Sequence, residues 1–146
     1  MTPERAQYHL LMLRMGEYDE YDREQTISVL RNFLLDHPAD ERTLMESQLA
    51  YVRKKYSEKA MTATQAADYL YGLITANDWE EPWLDLWQHY DVCELYEDGF
   101  ISQAVFEQCF EAALLRGEDL DCWALQKQEN QQKSPLAKLR SALKKS

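Results

Sequence analysis

The chain has 146 residues, of which 45% are hydrophobic and 12% aromatic, and its formal net charge is −10. This length is sufficient for one domain with its own core, and the aromatic content is too high for a disordered acidic chain. Four glycines and four prolines are too few for the many turns of an all-β sandwich. No apolar run approaches the roughly 20 residues of a membrane span, and the N-terminus does not resemble a signal peptide. We therefore expect a cytoplasmic protein.

Four helices are predicted in the first half of the chain. Thr2 and Pro3 form a helix start, because threonine caps and proline fits the first helical position. The residue before Pro38 is disfavoured in a helix, so the second helix ends there. Thr62 begins the fourth helix as its cap. The predicted helices cover 2–16, about 23–36, 38 or 40 to about 59, and 62–77, with an acidic connector at 17–22.

The sequence of the second half indicates two or three further helices and a C-terminal tail. Glu81 and Pro82 begin a fifth helix, Ser102 caps a sixth that ends at Gly117, and apolar residues at 120–125 indicate a short seventh. No period-2 stretch is long enough for a strand. We predict an all-α, compact single-domain bundle of roughly six to seven helices over residues 1–125. Residues 126–146 are predicted to form a polar linker and a flexible, basic, amphipathic tail.

The charges are distributed unevenly along the chain. Residues 60–115 contain eleven acidic residues and neither lysine nor arginine. A surface of this kind repels nucleic acids and lipid headgroups and attracts basic partners. We therefore expect a basic protein partner, with no direct binding to nucleic acid or to membranes.

The same acidic segment is rich in aromatic residues. Trp79, Trp83 and Trp87 are spaced by four, which predicts that they share one face of a helix. Such a face is either part of the core or a partly exposed binding surface, since tryptophan flanked by carboxylates is typical of binding hot spots. The predicted partner-binding residues are Trp79, Trp83, Asp85, Trp87, Tyr90, Asp91, Glu94 and Glu97.

No metal site, cofactor or catalytic motif is predicted. The segment 91–101 resembles the second half of an EF-hand loop, but Val105 occupies the position that requires a bidentate glutamate. His89 and Cys93 are spaced for joint chelation, yet the chain has no CxxC pair of the kind that structural zinc sites use. We expect Cys93, Cys109 and Cys122 to be buried, reduced thiols. Without a nucleophile, triad or phosphate-loop motif, the chain is not expected to be an enzyme.

One short motif has a family resemblance. The pattern Thr-x-x-Gln-Ala-Ala-x-x-Leu over residues 62–70 resembles the opening of a small helix-turn-helix domain. This resemblance implies DNA binding by the segment that follows it. That segment contains no lysine or arginine, whereas DNA recognition requires basic contacts to phosphate. A transcriptional regulator is therefore the third hypothesis.

The composition as a whole favours a binding protein. Bacterial immunity proteins, antitoxin-type proteins and phage-encoded anti-host inhibitors have a similar profile: short, acidic and rich in aromatic residues. The leading hypothesis is an acidic inhibitor of a basic, nucleic-acid-handling protein. The alternative is a structural adaptor or assembly chaperone that binds an amphipathic helix. The basic tail is either a frayed terminus that pairs loosely with the acidic body or a helix that docks on a partner, an anionic surface or a second copy. The oligomeric state is left open.

Overall fold

A computed structural model describes residues 1–16 and 23–133 of the chain. In these ranges the backbone forms seven α-helices, one 3-10 helix, one π-helical segment and no strand, which confirms the predicted all-α fold. The predicted connector at 17–22 lies outside the described residues, as does the part of the predicted linker and basic tail (126–146) from residue 134 onward. The α-helices are α1 (Pro3–Arg14), α2 (Arg23–Asp36), α3 (Glu41–Ser57), α4 (Ala63–Ala76), α5 (Trp87–Glu97), α6 (Gln103–Glu111) and α7 (Cys122–Lys133).

The chain divides into two compact units, Met1–Tyr90 and Asp91–Ser146, and the division falls inside α5. The boundary predicted from the sequence, between residues 125 and 126, stays a prediction, and α7 continues across it to Lys133. The predicted partner-binding residues consequently fall in both units. Those up to Tyr90 belong to the first unit, and those from Asp91 onward belong to the second.

Side-chain caps set the helix starts of the first unit. Thr2 accepts a hydrogen bond from the backbone N–H of the third residue of α1, and Asp40 accepts one from the second residue of α3. Thr62 and Gln65 form a reciprocal capping box, with bonds of 3.1 and 2.9 Å. Each cap satisfies a backbone donor that the helix leaves unpaired and contributes about 1 kcal/mol. The predicted starts of α1 and α4 agree with these caps.

The core of the first unit is built from two sets of helix contacts. Helix α1 packs on α2 through Ala6, Leu10 and Leu13, which surround the buried Leu30. Helix α4 packs against α3 and against the 3-10 helix Trp83–Leu86. Burial of each large apolar side chain stabilises the fold by about 1.5–3 kcal/mol. The largest fully buried side chains of this second set are Val52, Leu70, Leu73, Ile74, Trp83 and Leu86.

The fifth helix differs from the prediction. Instead of one α-helix from Glu81 and Pro82, a 3-10 helix covers Trp83–Leu86 and α5 begins at Trp87. The N–H of Asp85 bonds to the carbonyl of Pro82 at 3.0 Å, which is the i to i+3 spacing of a 3-10 turn. Such a turn holds three residues rather than 3.6. Residues four apart across this junction therefore do not occupy the single helical stripe that the sequence predicts.

In the second unit, α7 is held against the start of α6. Ser102 caps α6, and its hydroxyl also donates to the Glu129 carboxylate at 2.7 Å. The backbone N–H of Ser102 donates to the Gln126 side chain at 2.7 Å. Gln126 and Glu129 lie one helical turn apart, so both face Ser102. These bonds explain why α7 extends to Lys133 rather than ending near residue 125.

Candidate functional site

The end of α4 determines where Trp79 lies. The helix closes at Asn77 with two backbone bonds, from Asp78 N–H to the Thr75 carbonyl at 3.1 Å and from Trp79 N–H to the Ile74 carbonyl at 3.0 Å. This is the Schellman pattern, which usually has glycine in the left-handed position. Here Asp78 and Trp79 have φ values of 58° and 60°. A left-handed conformation costs a non-glycine residue roughly 1–2 kcal/mol, so the packing of the Trp79 ring must offset local strain.

Four aromatic side chains surround this turn and form what we call the aromatic patch: Tyr71, Trp79, Trp87 and Tyr90. The ring of Trp79 packs edge-on against Tyr71, with centroids 5.7 Å apart, and tilts against Trp87 at 5.4 Å. Tyr90 closes the set, at 5.1 Å from Tyr71 and 5.0 Å from Trp87. Aromatic pairs at such separations each contribute about 0.5–1.5 kcal/mol beyond the area they bury. The four rings consequently hold one another in place.

The aromatic patch is only partly covered. Tyr71 and Trp79 are 39% and 42% exposed, Trp87 is half-buried, and Tyr90 is buried. Aromatic side chains that are both exposed and fixed in position lose little conformational entropy when a partner covers them. This arrangement is suited to binding another molecule.

Trp83 does not belong to this surface. It lies at the start of the 3-10 helix and is 1% exposed, whereas Trp79 precedes that helix in a left-handed turn. The expectation that Trp79, Trp83 and Trp87 share one helical face is therefore wrong. The Schellman turn and the 3-10 helix change the direction of the chain between each pair of tryptophans.

Exposed carboxylates occur in the same segment of the first unit as the patch residues. Between residues 60 and 90 the chain carries five exposed acidic residues and no lysine or arginine. One of them, Asp85, pairs with Arg42 at 3.4 Å through both terminal guanidinium nitrogens. An exposed pair of this kind contributes at most about 1 kcal/mol. The other members of this set are Asp68, Asp78, Glu80 and Glu81.

The remaining predicted binding residues lie in the second unit, on the later turns of α5. Asp91, Glu94 and Glu97 are exposed, and Glu97 accepts a hydrogen bond from the Cys93 thiol at 3.6 Å. Partial desolvation, reinforced by the charge of Asp119, raises the pKa of Asp91. The eight residues predicted from sequence thus divide into the patch members Trp79, Trp87 and Tyr90, the buried Trp83, the paired Asp85, and these three carboxylates.

The thiols are reduced and mostly buried. Cys93 and Cys109 are buried, while Cys122 is half-buried. Burial, with additional contributions from Cys122 and the nearby acids, raises the pKa of Cys109 to about 12. A thiol of this kind stays protonated at neutral pH and is a poor nucleophile or metal ligand. Within residues 1–16 and 23–133, no three His, Cys, Asp or Glu side chains are grouped to hold a metal ion.

Tyr71 is the patch member that sequence reasoning missed. The apolar stripe of α4 contains Ala66, Leu70, Leu73 and Ile74, all of which are buried. Tyr71 lies off this stripe, on the solvent side of the helix, and the pattern gives it no packing partner. The sequence signal that could have identified Tyr71 is an aromatic residue that lies outside the apolar face of a helix.

The chain matches no protein-family model, no curated protein and no solved structure. Among the helices that the structure describes, none combines the length and the apolar character needed to cross a bilayer.

Proposed function

We propose that the protein is a cytoplasmic, non-enzymatic binding protein whose aromatic patch docks on a basic protein. The supporting observation is that Tyr71 and Trp79 expose about two fifths of their surface while their rings pack on Trp87 and Tyr90. Binding hot spots are enriched in tryptophan and tyrosine that are fixed before the partner arrives. The strained backbone at Trp79 is a second supporting feature, because such strain is concentrated at functional positions.

The charge of the surrounding chain favours a basic partner. Carboxylates at Asp78, Glu80 and Glu81 directly flank Trp79 in sequence, and no lysine or arginine lies within residues 60–115. Complementary charges accelerate the encounter of two proteins and discriminate against acidic competitors. Proteins that handle nucleic acids present basic surfaces to phosphate. An inhibitor or immunity-type protein that covers such a surface is the function that this arrangement supports best.

The adaptor alternative is supported by a different part of the first unit. Val29 and Leu35 of α2 are 59% and 80% exposed, and apolar side chains of this kind accept the apolar face of a partner helix. Salt distinguishes the two proposals, because docking driven by apolar contact does not weaken with added salt as charge-steered association does. The helix-turn-helix alternative has less support. Its opening helix is α4, and the segment that follows, as far as residue 115, contains no lysine or arginine to contact phosphate.

A quantitative pull-down tests the proposal. The wild-type chain, Trp79→Ala and Trp123→Ala serve as baits at low and high salt. Trp123 is a matched control because it is 56% exposed, pairs edge-on with Phe100 and belongs to the second unit. We expect a basic protein that wild type and Trp123→Ala retain at low salt and that Trp79→Ala releases.

The outcomes separate the alternatives. A partner that all three baits bind equally would show that the aromatic patch is not the binding surface. A partner held equally well at high salt would favour the adaptor. Far-UV circular dichroism of each bait establishes beforehand that the helices are intact, so that lost binding reports on the surface rather than on unfolding.

A further inference from the structure

Two of the three cysteines lie on facing sides of α6 and α7 in the second unit. Cys109 is seven residues after Ser102, which caps α6, and Cys122 is seven residues before Glu129, which accepts the Ser102 hydroxyl hydrogen bond at 2.7 Å. Seven residues are close to two helical turns, so each cysteine lies on the side of its helix that carries this bond. The chain passes from α6 to α7 through residues 112–121, and α7 packs directly on α6. This packing brings the two thiols together.

The two thiols interact in the reduced protein. Burial raises the pKa of Cys109 to about 12, and a hydrogen bond with Cys122 and the charge of Cys122 add to this effect. Such contributions require the two sulfur atoms to be close to each other. The third cysteine is placed differently, because the Cys93 thiol donates to Glu97 of its own helix at 3.6 Å. Cys109 and Cys122 are therefore the pair that a disulfide could join.

The two thiols differ in their access to solvent, which assigns an order to their reactions. Cys109 is 3% exposed, whereas Cys122 is half-buried at the start of α7. An oxidant in solution therefore reaches Cys122 first. Because Cys109 keeps its proton at neutral pH, it reacts only after the neighbouring Cys122 sulfur has become electrophilic. The fixed proximity of the two sulfurs then offsets the low reactivity of Cys109.

We propose that Cys109 and Cys122 form a redox-active dithiol, which hydrogen peroxide converts to a disulfide between α6 and α7. In the first step the Cys122 sulfur attacks a peroxide oxygen, the O–O bond breaks, and a sulfenic acid and one water form. In the second step the Cys109 sulfur attacks the Cys122 sulfur, the S–O bond breaks, and the hydroxyl leaves as water with the Cys109 thiol proton. The two thiols lose two electrons and two protons, and one peroxide is reduced to two waters.

The dithiol does not depend on the proposed protein-binding surface. Both cysteines belong to the second unit, whereas every member of the aromatic patch belongs to the first. The chemistry is also compatible with a reducing compartment, where disulfides are usually transient and formed in response to an oxidant. A thiol reductant exchanges with the bond and restores both thiols.

Mass spectrometry of the full chain tests the proposal. The reduced chain is treated with hydrogen peroxide at neutral pH and unfolded, and its remaining thiols are blocked with N-ethylmaleimide. We expect wild type to lose two hydrogen atoms and to add one maleimide, at Cys93. Trypsin leaves Cys93 and Cys109 on one peptide, because residues 60–115 contain no lysine or arginine. The control variant Cys93→Ala should therefore form the same bond and assign it to Cys109 and Cys122.

Two further variants separate the roles of the two thiols. Cys109→Ala should stop at the Cys122 sulfenic acid, which dimedone traps, because the second thiol is missing. Cys122→Ala should leave Cys109 reduced, because this thiol is buried and protonated. Oxidised wild type should unfold at a higher urea concentration than reduced wild type, since the cross-link restricts the unfolded chain. Circular dichroism shows beforehand that each variant is folded.

Three results would overturn the proposal. Oxidation of wild type to sulfinic or sulfonic acid at Cys122 without a disulfide would show that the two sulfurs are out of bonding reach. A disulfide that persists in Cys109→Ala, or that joins two chains, would show a different pairing. A lower urea midpoint after oxidation would show that the bond forms only when the packing of α7 on α6 is distorted.

Discussion

Trp79 and Trp83 are four residues apart, but truncation of Trp83 should cost the fold about twice as much stability as truncation of Trp79. Trp83 is 1% exposed, so Trp83→Ala removes a fully buried side chain at a cost of about 3–5 kcal/mol. Trp79 already exposes 42% of its surface and can leave no closed void. Trp79→Ala should therefore cost about half as much, roughly 2 kcal/mol, mainly from the lost ring contacts with Tyr71 and Trp87.

These costs are to be compared with the small total stability of a domain, about 5–15 kcal/mol. Trp79→Ala should remain folded, and its affinity for the partner should fall about thirtyfold or more. This corresponds to a hot spot of about 2 kcal/mol. Trp83→Ala should lose binding only to the extent that it unfolds. Urea unfolding followed by circular dichroism gives the stabilities, and titration with the recovered partner gives the affinities.

Either of two results would show that the aromatic patch is not a prepared binding surface. If Trp79→Ala lost as much stability as Trp83→Ala, the aromatic patch would be part of the core rather than a prepared binding surface. If Trp79→Ala stayed folded and bound its partner normally, the patch would not be the site. Trp123→Ala is the control for the loss of an exposed tryptophan elsewhere in the chain.

Three further predictions concern single groups. Because the pKa of Asp91 is raised from its ordinary 3.8, folding favours its protonated form, and this carboxyl costs stability once the pH rises through its folded pKa. Asp91→Asn should therefore raise the urea midpoint at pH 7 and leave it unchanged below pH 3.8; a gain of equal size at both would contradict this. Iodoacetamide at pH 8 should alkylate Cys122 well before Cys109, whose thiol pKa is about 12, as peptide mass spectrometry can show. Asp78→Gly should stabilise the fold by about 1 kcal/mol by relieving the left-handed conformation, and an unchanged melting temperature would count against strain there.

The first four helices could be predicted because local sequence signals determine them. Thr2, Asp40 and Thr62 are short polar side chains that cap backbone donors within three residues, and the helix stops at Gly16 and Pro38 are equally local. Such signals act without reference to the rest of the fold. For the same reason the all-α class followed from composition and apolar periodicity.

The fifth and seventh helices depend on contacts that the sequence pattern does not contain. The 3-10 helix at Trp83–Leu86 packs on α4, and this packing competes with continuous α-helical spacing. The extension of α7 depends on Gln126 and Glu129 reaching Ser102, which lies 24 and 27 residues earlier in the chain. The polar residues after position 125 predicted a linker, because the sequence pattern does not show that their hydrogen-bond partner is a residue far earlier in the chain.

The candidate site was only partly predictable for a related reason. Composition identified the acidic, tryptophan-rich segment, but the exposure of each ring depends on tertiary packing. A left-handed turn at Trp79 directs the chain so that its ring meets Tyr71, a residue eight positions earlier on α4. Trp83, with the same flanking chemistry, enters the core instead. No spacing rule distinguishes these two tryptophans.

Association kinetics measure whether charge steers a basic partner to the aromatic patch. The variant Glu80→Lys/Glu81→Lys reverses two exposed acids beside Trp79. Glu24→Lys/Glu46→Lys makes the same change in net charge on α2 and α3, which carry no member of the patch. We expect the association rate constant of the wild type to fall about tenfold or more between about 0.05 and 0.5 M salt, with little change in the dissociation rate constant. The first variant should associate slowly at every salt concentration, and the control should resemble wild type. An association rate independent of salt, or equal in the two variants, would show that charge does not steer the partner to the patch.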